Sequence, residues 1–241
     1  MTFDQLYSSS TGNLYVVTAN NSERLLIECG VAWPKLIKAL NYNLEGIKGC
    51  LLTHEHIDHS KAIHDVIKAG IDVFASKGTI DAIDIKGRHI RYIKNRDVGL
   101  IGNTLRFKAF NTNHDAAEPL GFIVHEIATG ENLLFATDTS HITQRFKLKF
   151  DIIAICCSYN GEYLAKRVKE KTINETVAKR LLTAHMEHNE TKRYLSEFCD
   201  LSRTRVLHLL HLSHDNINKK KIKADFEKTF FIQTVIKGLD K

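Results

Sequence analysis

Apolar residues fall in short runs along most of this chain, separated by polar turns and by segments of helical period. "NLYVVTA" (13–19), "RLLIEC" (24–29), "GCLLT" (49–53) and "IDVFA" (71–75) alternate or run continuously over strand lengths and read as strands. Between them, "WPKLIKAL" and "SKAIHDVIKAG" space their apolar residues as helices do, with Pro34 suited to a first turn, Ser60 as an N-cap and Gly70 as a stop. Further strands are predicted at "TLRFKAF" (104–110), "LGFIVHEI" (120–127), "NLLFAT" (132–137), "DIIAIC" (151–156) and "RVLHLL" (205–210). From about Glu162 to Cys199 the period turns helical, with Asn189 a candidate cap for "ETKRYLSEFC"; "KKKIKADFEKTF" and "FIQTVI" then read as a helix and a closing strand. Two packed sheets with helices outside both account for this series, although periodicity alone does not choose that over another α/β layer arrangement.

Composition changes this picture little. At 241 residues, with 43% hydrophobic and 26% charged, the chain has the make-up of a soluble globular protein. With two prolines, no linker-like tract and no internal repeat, one domain spanning 1–241 is expected. "MTFDQLYSSS" lacks the basic start and apolar run of a signal peptide, and no apolar stretch reaches membrane-spanning length, so a cytoplasmic protein with no membrane partner is expected. Cys29, Cys50, Cys156, Cys157 and Cys199 form no C-x-x-C pair and read as reduced, mostly buried thiols. The net charge of +6 gathers in the C-terminal half, in "KRVKEK" (166–171), "RTR" (203–205) and "KKKIK" (219–223). Such runs attract phosphates, but each alone reads more simply as a solvated helix face.

Chemistry concentrates in "LLTHEHIDH" (51–59), where a strand-like run ends in three histidines and an aspartate. A single histidine would read as a hydrogen-bonded surface or core residue. His54, His56, Asp58 and His59 together form a donor set suited to divalent metals. Other His and Asp residues stand just past other strands: His114, Asp138 and His211. A strand end is a rigid place from which a loop can aim ligands at one point.

This order of motifs resembles the metallo-β-lactamase fold over nearly the whole chain. "HEHIDH" matches its H-x-H-x-D-H signature, His114 its later lone histidine, "FATDTS" the motif of its bridging aspartate and "HLS" its last histidine. The resemblance implies an α/β fold, a four-layer αββα sandwich, and two divalent metal ions, zinc or manganese. It implies that His54, His56 and His114 hold one metal, that Asp58, His59 and His211 hold the other, and that Asp138 bridges them. His211 stands directly at a strand end in an H-h-S context, while His208 would face the sheet within "RVLHLL"; His214 remains the rival for the last ligand. A metal pair of this kind acidifies water, so a hydroxide attacking phosphorus is the expected chemistry.

Subfamily features point to one branch. "SSSTGNLYVV" with "LLIECG", and "HDAAEPLGF", "TAHMEHNET" and "HLSHDN", resemble the YycJ-like branch, which includes DNA exonucleases, and similar phage-borne proteins. "ICCSYNGEYL" departs from it: Cys156 and Ser158 stand where the branch has an acidic residue and an asparagine, and Tyr159 and Asn160 are candidates to take over part of their role. His185 fits the place of a histidine that protonates or stabilises a leaving oxygen, with a helix-end histidine bonded to Glu187 or Glu190 as the plainer reading. Asp58 and His185 are thus the catalytic candidates. His64, His89, His125, His141 and His188 lack a partner pattern, Trp33 reads as a packing aromatic, and Ser8 to Gly12 as a tight turn stabilised by Asn13. The resulting expectation is a metal-dependent phosphodiesterase, a nuclease hydrolysing DNA. The alternative is a phosphodiesterase of cyclic mononucleotides; lactamase or thioesterase activity and a non-catalytic metal-binding module fit less well. A nucleic acid or nucleotide is the expected partner, and the reading leaves room for a homo-oligomer.

Overall fold

A computed structural model describes residues 1–213 and 217–239 and divides the chain into two compact units. Unit 1 comprises Met1–Asn111 and Ala116–Asn132; unit 2 comprises Thr112–Asp115 and Leu133–Lys241.

In unit 1 a six-stranded sheet runs β1(Thr2–Ser9), β2(Gly12–Thr18), β3(Arg24–Ile27), β4(Ile47–Leu51), β5(Val73–Ser76) and β6(Ile90–Ile93), in sequence order. The first three strands are antiparallel and joined by short turns, and β3 to β6 are parallel. Parallel neighbours need crossovers, which are α1(Trp33–Ala39), the pair α2(Ile57–Ser60) and α3(Ile63–Lys68), and α4(Lys77–Ile83). One apolar cluster joins strands to helices through Leu14, Val16, Leu26, Leu36, Leu52, Val66 and Val73, with Trp33 packed against it as the sequence suggests. An antiparallel meander of β7(Val98–Ile101), β8(Leu105–Asn111) and β9(Leu120–Glu126) completes the unit. It meets the larger sheet through Phe107, whose ring lies 5.4 Å from that of Phe74. Burial from both sides explains why β2 and β9 carry unbroken runs of buried residues, Leu14 to Val17 and Leu120 to Val124, instead of alternating.

In unit 2, β10(Asn132–Ala136), β11(Ile152–Cys156), β12(Val206–Leu210) and β13(Gln233–Ile236) form a parallel ladder. α5(Gly161–Lys169), α6(Glu175–Ala184) and α7(His188–Phe198) connect β11 to β12, and α8(Lys219–Phe230) connects β12 to β13. Asn160, Asn174 and Asn218 cap α5, α6 and α8 by accepting from backbone N–H groups. No helix among the described residues is long and apolar enough to cross a membrane.

The predicted strands all form, and the α/β class holds in both units. The caps differ from expectation. Ser60 ends α2 with its hydroxyl donating to the carbonyls of Glu55 and His56, and α3 starts after Ala62 without a side-chain cap. Glu187, not Asn189, caps α7, accepting from Asn189 and Glu190 N–H. β1, β6, β7 and α4 were not expected: β1 buries Gln5, which breaks its apolar alternation, and the other three are only four to seven residues long.

Candidate metal centre

In unit 1 the donors gather at the C-terminal ends of β3 and β4. These strands are in register at Ile27 and Leu51, and the chain beyond them delivers Glu28 on one side and Thr53–His54 on the other. Thr53 Oγ1 lies 2.8 Å from His54 Nδ1, which leaves Nε2 facing His56 Nδ1 at 3.1 Å. His56 stands at the start of α2, so Asp58 and His59 fall on its first turn, with Asp58 Oδ2 3.5 Å from His59 Nε2. Asn13 joins this turn to the β1–β2 hairpin. Its amide exchanges hydrogen bonds with the Ser9 backbone at 3.1 Å, donates to the Asp58 carbonyl at 3.1 Å, and lies 3.1 Å from His59 Nε2. The predicted Ser8–Gly12 turn therefore holds the ligand loop.

Two supports below that loop were not anticipated. Glu28 is fully buried in the left-handed region (φ +66°), with Oε1 3.6 Å from His59 Nδ1. Burial pushes its carboxyl above the usual range, and the adjacent imidazole pulls it back. Gly30 passes so close that a Cβ there would meet the Asp58 carbonyl oxygen at 1.6 Å. The backbone is tied to match: Cys29 N–H donates to the His59 carbonyl at 2.8 Å, and Ala62 N–H to that of Cys29 at 2.9 Å.

In unit 2 the ladder again presents its C-terminal edge, the edge at which open α/β sheets bind ligands. Asp138 follows β10, Cys156 ends β11 and His211 follows β12. Asp138 (φ +37°) and His211 (φ +54°) both take left-handed backbone, a strain that collects at functional sites and costs of the order of 1–3 kcal/mol each. Asp138 Oδ2 faces His211 Nε2 at 3.5 Å and His114 Nε2 at 3.8 Å. His114 Nδ1 lies 2.9 Å from the Ala184 carbonyl, the partner that fixes which ring nitrogen is left to bind a cation. Thr137 Oγ1 donates to Asp138 Oδ1 at 2.9 Å. Such donor atoms, drawn together around one carboxylate oxygen, suit a divalent cation.

His185 ends α6, its ring stacked on His211 at 5.0 Å and edge-on to His114 at 5.3 Å. Burial drives its pKa down to about 4 against the near-neutral value expected from sequence, although the Asp138 charge opposes the shift. The plainer alternative does not form: Glu187 accepts from Gly161, Asn189 and Glu190 N–H, and Glu190 pairs with Arg193. One donor atom from each of Asp138, Cys156 and His185 lies within 4.8 Å of the others.

Other candidates are accounted for elsewhere. Asn160 serves as the α5 cap, and Tyr159 is buried beside Leu164 and Ala178, with its hydroxyl pushed up to about 12 by burial. His208 is buried within β12, and His214 lies outside the described residues. His89 pairs with Asp72, His125 with Asn132, His141 with Ser140 and His188 with Asp225; His64 sits on α3. Sequence reading passed over Glu28, Gly30 and the closeness of Cys156 to Asp138. The signal for Glu28 was an acidic residue directly after an apolar strand.

Comparison with known proteins places this geometry in a family. The sequence model of the beta-lactamase superfamily domain matches residues 23–211. An exodeoxyribonuclease YycJ from Bacillus anthracis is 33% identical over 155 residues, which are 60% of this chain and 57% of that protein, so the match spans little over half of the relative. An anti-Pycsar protein of Bacillus phage 010DV004 is 41% identical over 54 residues, 22% of this chain and 21% of that protein. Among solved structures, the metallo-beta-lactamase fold protein YhfI from Bacillus subtilis superposes with a TM-score of 0.72 at 15% identity, over 97% of this chain and 95% of that one. The expected fold is thereby borne out, and this chain belongs to the beta-lactamase superfamily domain family.

Proposed function

We propose that the chain is a hydrolase of phosphodiesters that works with two divalent metal ions, zinc or manganese, and that its substrate is DNA. In this reading His54, His56 and His114 would hold one ion and Asp58, His59 and His211 the second, with Asp138 a ligand that both would share. The observation that carries it is the approach of His114 Nε2 and His211 Nε2 to one oxygen of Asp138, at 3.8 and 3.5 Å. Two such ions, once bound, would supply an acidified water and charge to stabilise the oxygens of an in-line displacement.

The chain's own residues supply the rest. Glu28 and Asn13 orient His59 and Asp58, and the Ala184 carbonyl orients His114. His185 hydrogen-bonds the leaving oxygen. Burial lowers its pKa to about 4, so at neutral pH it is a neutral imidazole with one N–H to donate. Exposed Lys220 and Lys221, at the start of α8, contact backbone phosphates. The name of the Bacillus anthracis relative supports DNA as substrate.

A second reading, hydrolysis of cyclic mononucleotides, is favoured by the 41% identity to the phage anti-Pycsar protein. One experiment separates the two: metal-loaded protein, with Asp138→Ala as control, on labelled single- and double-stranded DNA, RNA and cyclic mononucleotides. Ladders from DNA support the nuclease. Turnover of cyclic mononucleotides with polymers left intact overturns it in favour of the second reading. His185→Ala should lower kcat about 10²-fold or more.

A further inference from the structure

We propose that Asp138, Cys156 and His185 form a sulfur-containing site for a thiophilic divalent cation such as zinc. The inference deepens the metal-dependent reading, with which it shares Asp138. The parallel register puts Cys156 level with Leu210, one residue before His211, while Ala136, paired with Ile155, stands two residues before Asp138. Cys156 thus stands at the end of the central strand of three, between the strand ends that carry an established type of metal donor on either side. All three donors belong to unit 2, so the cluster does not depend on the histidines of the "HEHIDH" loop.

The geometry is close to a coordination sphere. One donor atom from each residue lies within 4.8 Å of the other two. In a tetrahedral zinc site, bonds of about 2.0–2.3 Å put such atoms about 3.4–3.6 Å apart, so closure needs a shift on the order of 1 Å. The side chains are buried, with relative exposures of 3%, 0% and 8% for Asp138, Cys156 and His185. His185 Nδ1 is buried with no hydrogen-bond partner among the described residues, an expense that a cation would remove. Ser158 Oγ lies 3.2 Å from Cys156 Sγ and can donate to a thiolate. Binding exchanges one proton for one bond: the S–H bond breaks, the sulfur keeps its electron pair for the metal, and the proton leaves to solvent.

A thiolate ligand biases the site toward zinc, cadmium and cobalt and against manganese and magnesium, which prefer oxygen donors. Cys156 would then decide which cation sits beside Asp138, a choice that an acidic residue at this position would leave open.

The test titrates metal-free full-length protein with Co(II) and follows its absorption. Sulfur ligation predicts a near-ultraviolet sulfur-to-cobalt charge-transfer band in wild type and Cys157→Ser and its loss in Cys156→Ser, with visible cobalt bands retained. Visible bands without the near-ultraviolet band in wild type overturn the sulfur site and leave the dinuclear reading standing. A near-ultraviolet band that His54→Ala with His56→Ala does not alter, in a protein that hydrolyses no phosphodiester, upholds the sulfur site and overturns the dinuclear reading. The absence of any cobalt band overturns both. Should Cys156→Ser fail to fold, 113Cd NMR of wild type decides: a resonance in the sulfur-ligated range supports the proposal, and one confined to the nitrogen and oxygen range overturns it.

Discussion

The His-rich loop of unit 1 and the strand ends of unit 2 gather candidate metal donors by opposite means. In the first, four donors come from residues 54–59, and local structure does most of the aiming: a strand end, one helical turn and the Asn13 brace. In the second, His114, Asp138, His185 and His211 come from four separate segments, and the ladder of β10, β11 and β12 together with the end of α6 brings them into range. A contiguous motif needs little beyond its own turn. A dispersed one uses a buried sheet as its ruler and pays in strained backbone at Asp138 and His211.

Removing the residue on which the dispersed set converges should have the largest effect. Asp138→Ala is expected to lower phosphodiester hydrolysis by about 10³-fold or more, the scale on which groups acting as a unit fail together. Circular dichroism should remain that of wild type, because Asp138 follows β10 instead of forming part of its core. An unfolded variant would show that the carboxylate serves the fold and not the reaction.

Legibility divides along the same line. The "HEHIDH" spacing announces itself because its donors lie within a few residues, and the strands of both units follow from apolar runs that burial on two faces demands. His114, Asp138 and His211 are legible only as histidines and aspartates that follow strands, so their convergence needs the ladder's register. Glu28 and Gly30 were less visible still. An acid after a strand and a glycine after a cysteine have no spacing signature; their roles come from Asp58 and His59, which lie far along the chain from them. Cys156 looked like a lost acidic residue because its neighbours Asp138 and His185 lie on different elements.

Gly30→Ala tests the contiguous side. The added methyl would meet the Asp58 carbonyl at 1.6 Å and the His59 nitrogen at 2.7 Å, both backbone atoms that cannot rotate away. Overpacking of this kind costs about 1–3 kcal/mol. Urea unfolding should show that loss, and dialysed protein should retain less metal, since the backbone between Asp58 and His59 must move. Unchanged metal content would mean that the loop does not need its backbone seat.

Glu28→Gln keeps the shape and removes the charge behind His59. Outer partners of metal-binding histidines typically contribute 10–100-fold in metal affinity, and a loss in that range is expected by calorimetric titration, with Glu28→Asp in between. Equal affinities for wild type and Glu28→Gln would reduce Glu28 to a filler of space.

Glu23 provides the smallest effect and the cleanest contrast, because it stands at the other end of β3 from Glu28. Both carboxylates are buried, yet they shift in opposite directions. For Glu23 burial again raises the pKa, but Thr104 Oγ1 at 2.7 Å and the backbone N–H groups of Asn103 and Thr104 at 2.9 and 3.1 Å outweigh it and hold the group below its ordinary 4.5. A depressed carboxylate adds stability that is present above its unfolded value and is lost as pH falls through its folded value. Glu23→Gln should therefore lower the melting temperature by about 2–4 °C at pH 7, the scale of one net hydrogen bond. The gap from wild type should hold down to about the ordinary 4.5 and close below it. A gap that persists in acid would mean that Glu23 acts through packing, and the two ends of β3 would then differ in geometry alone.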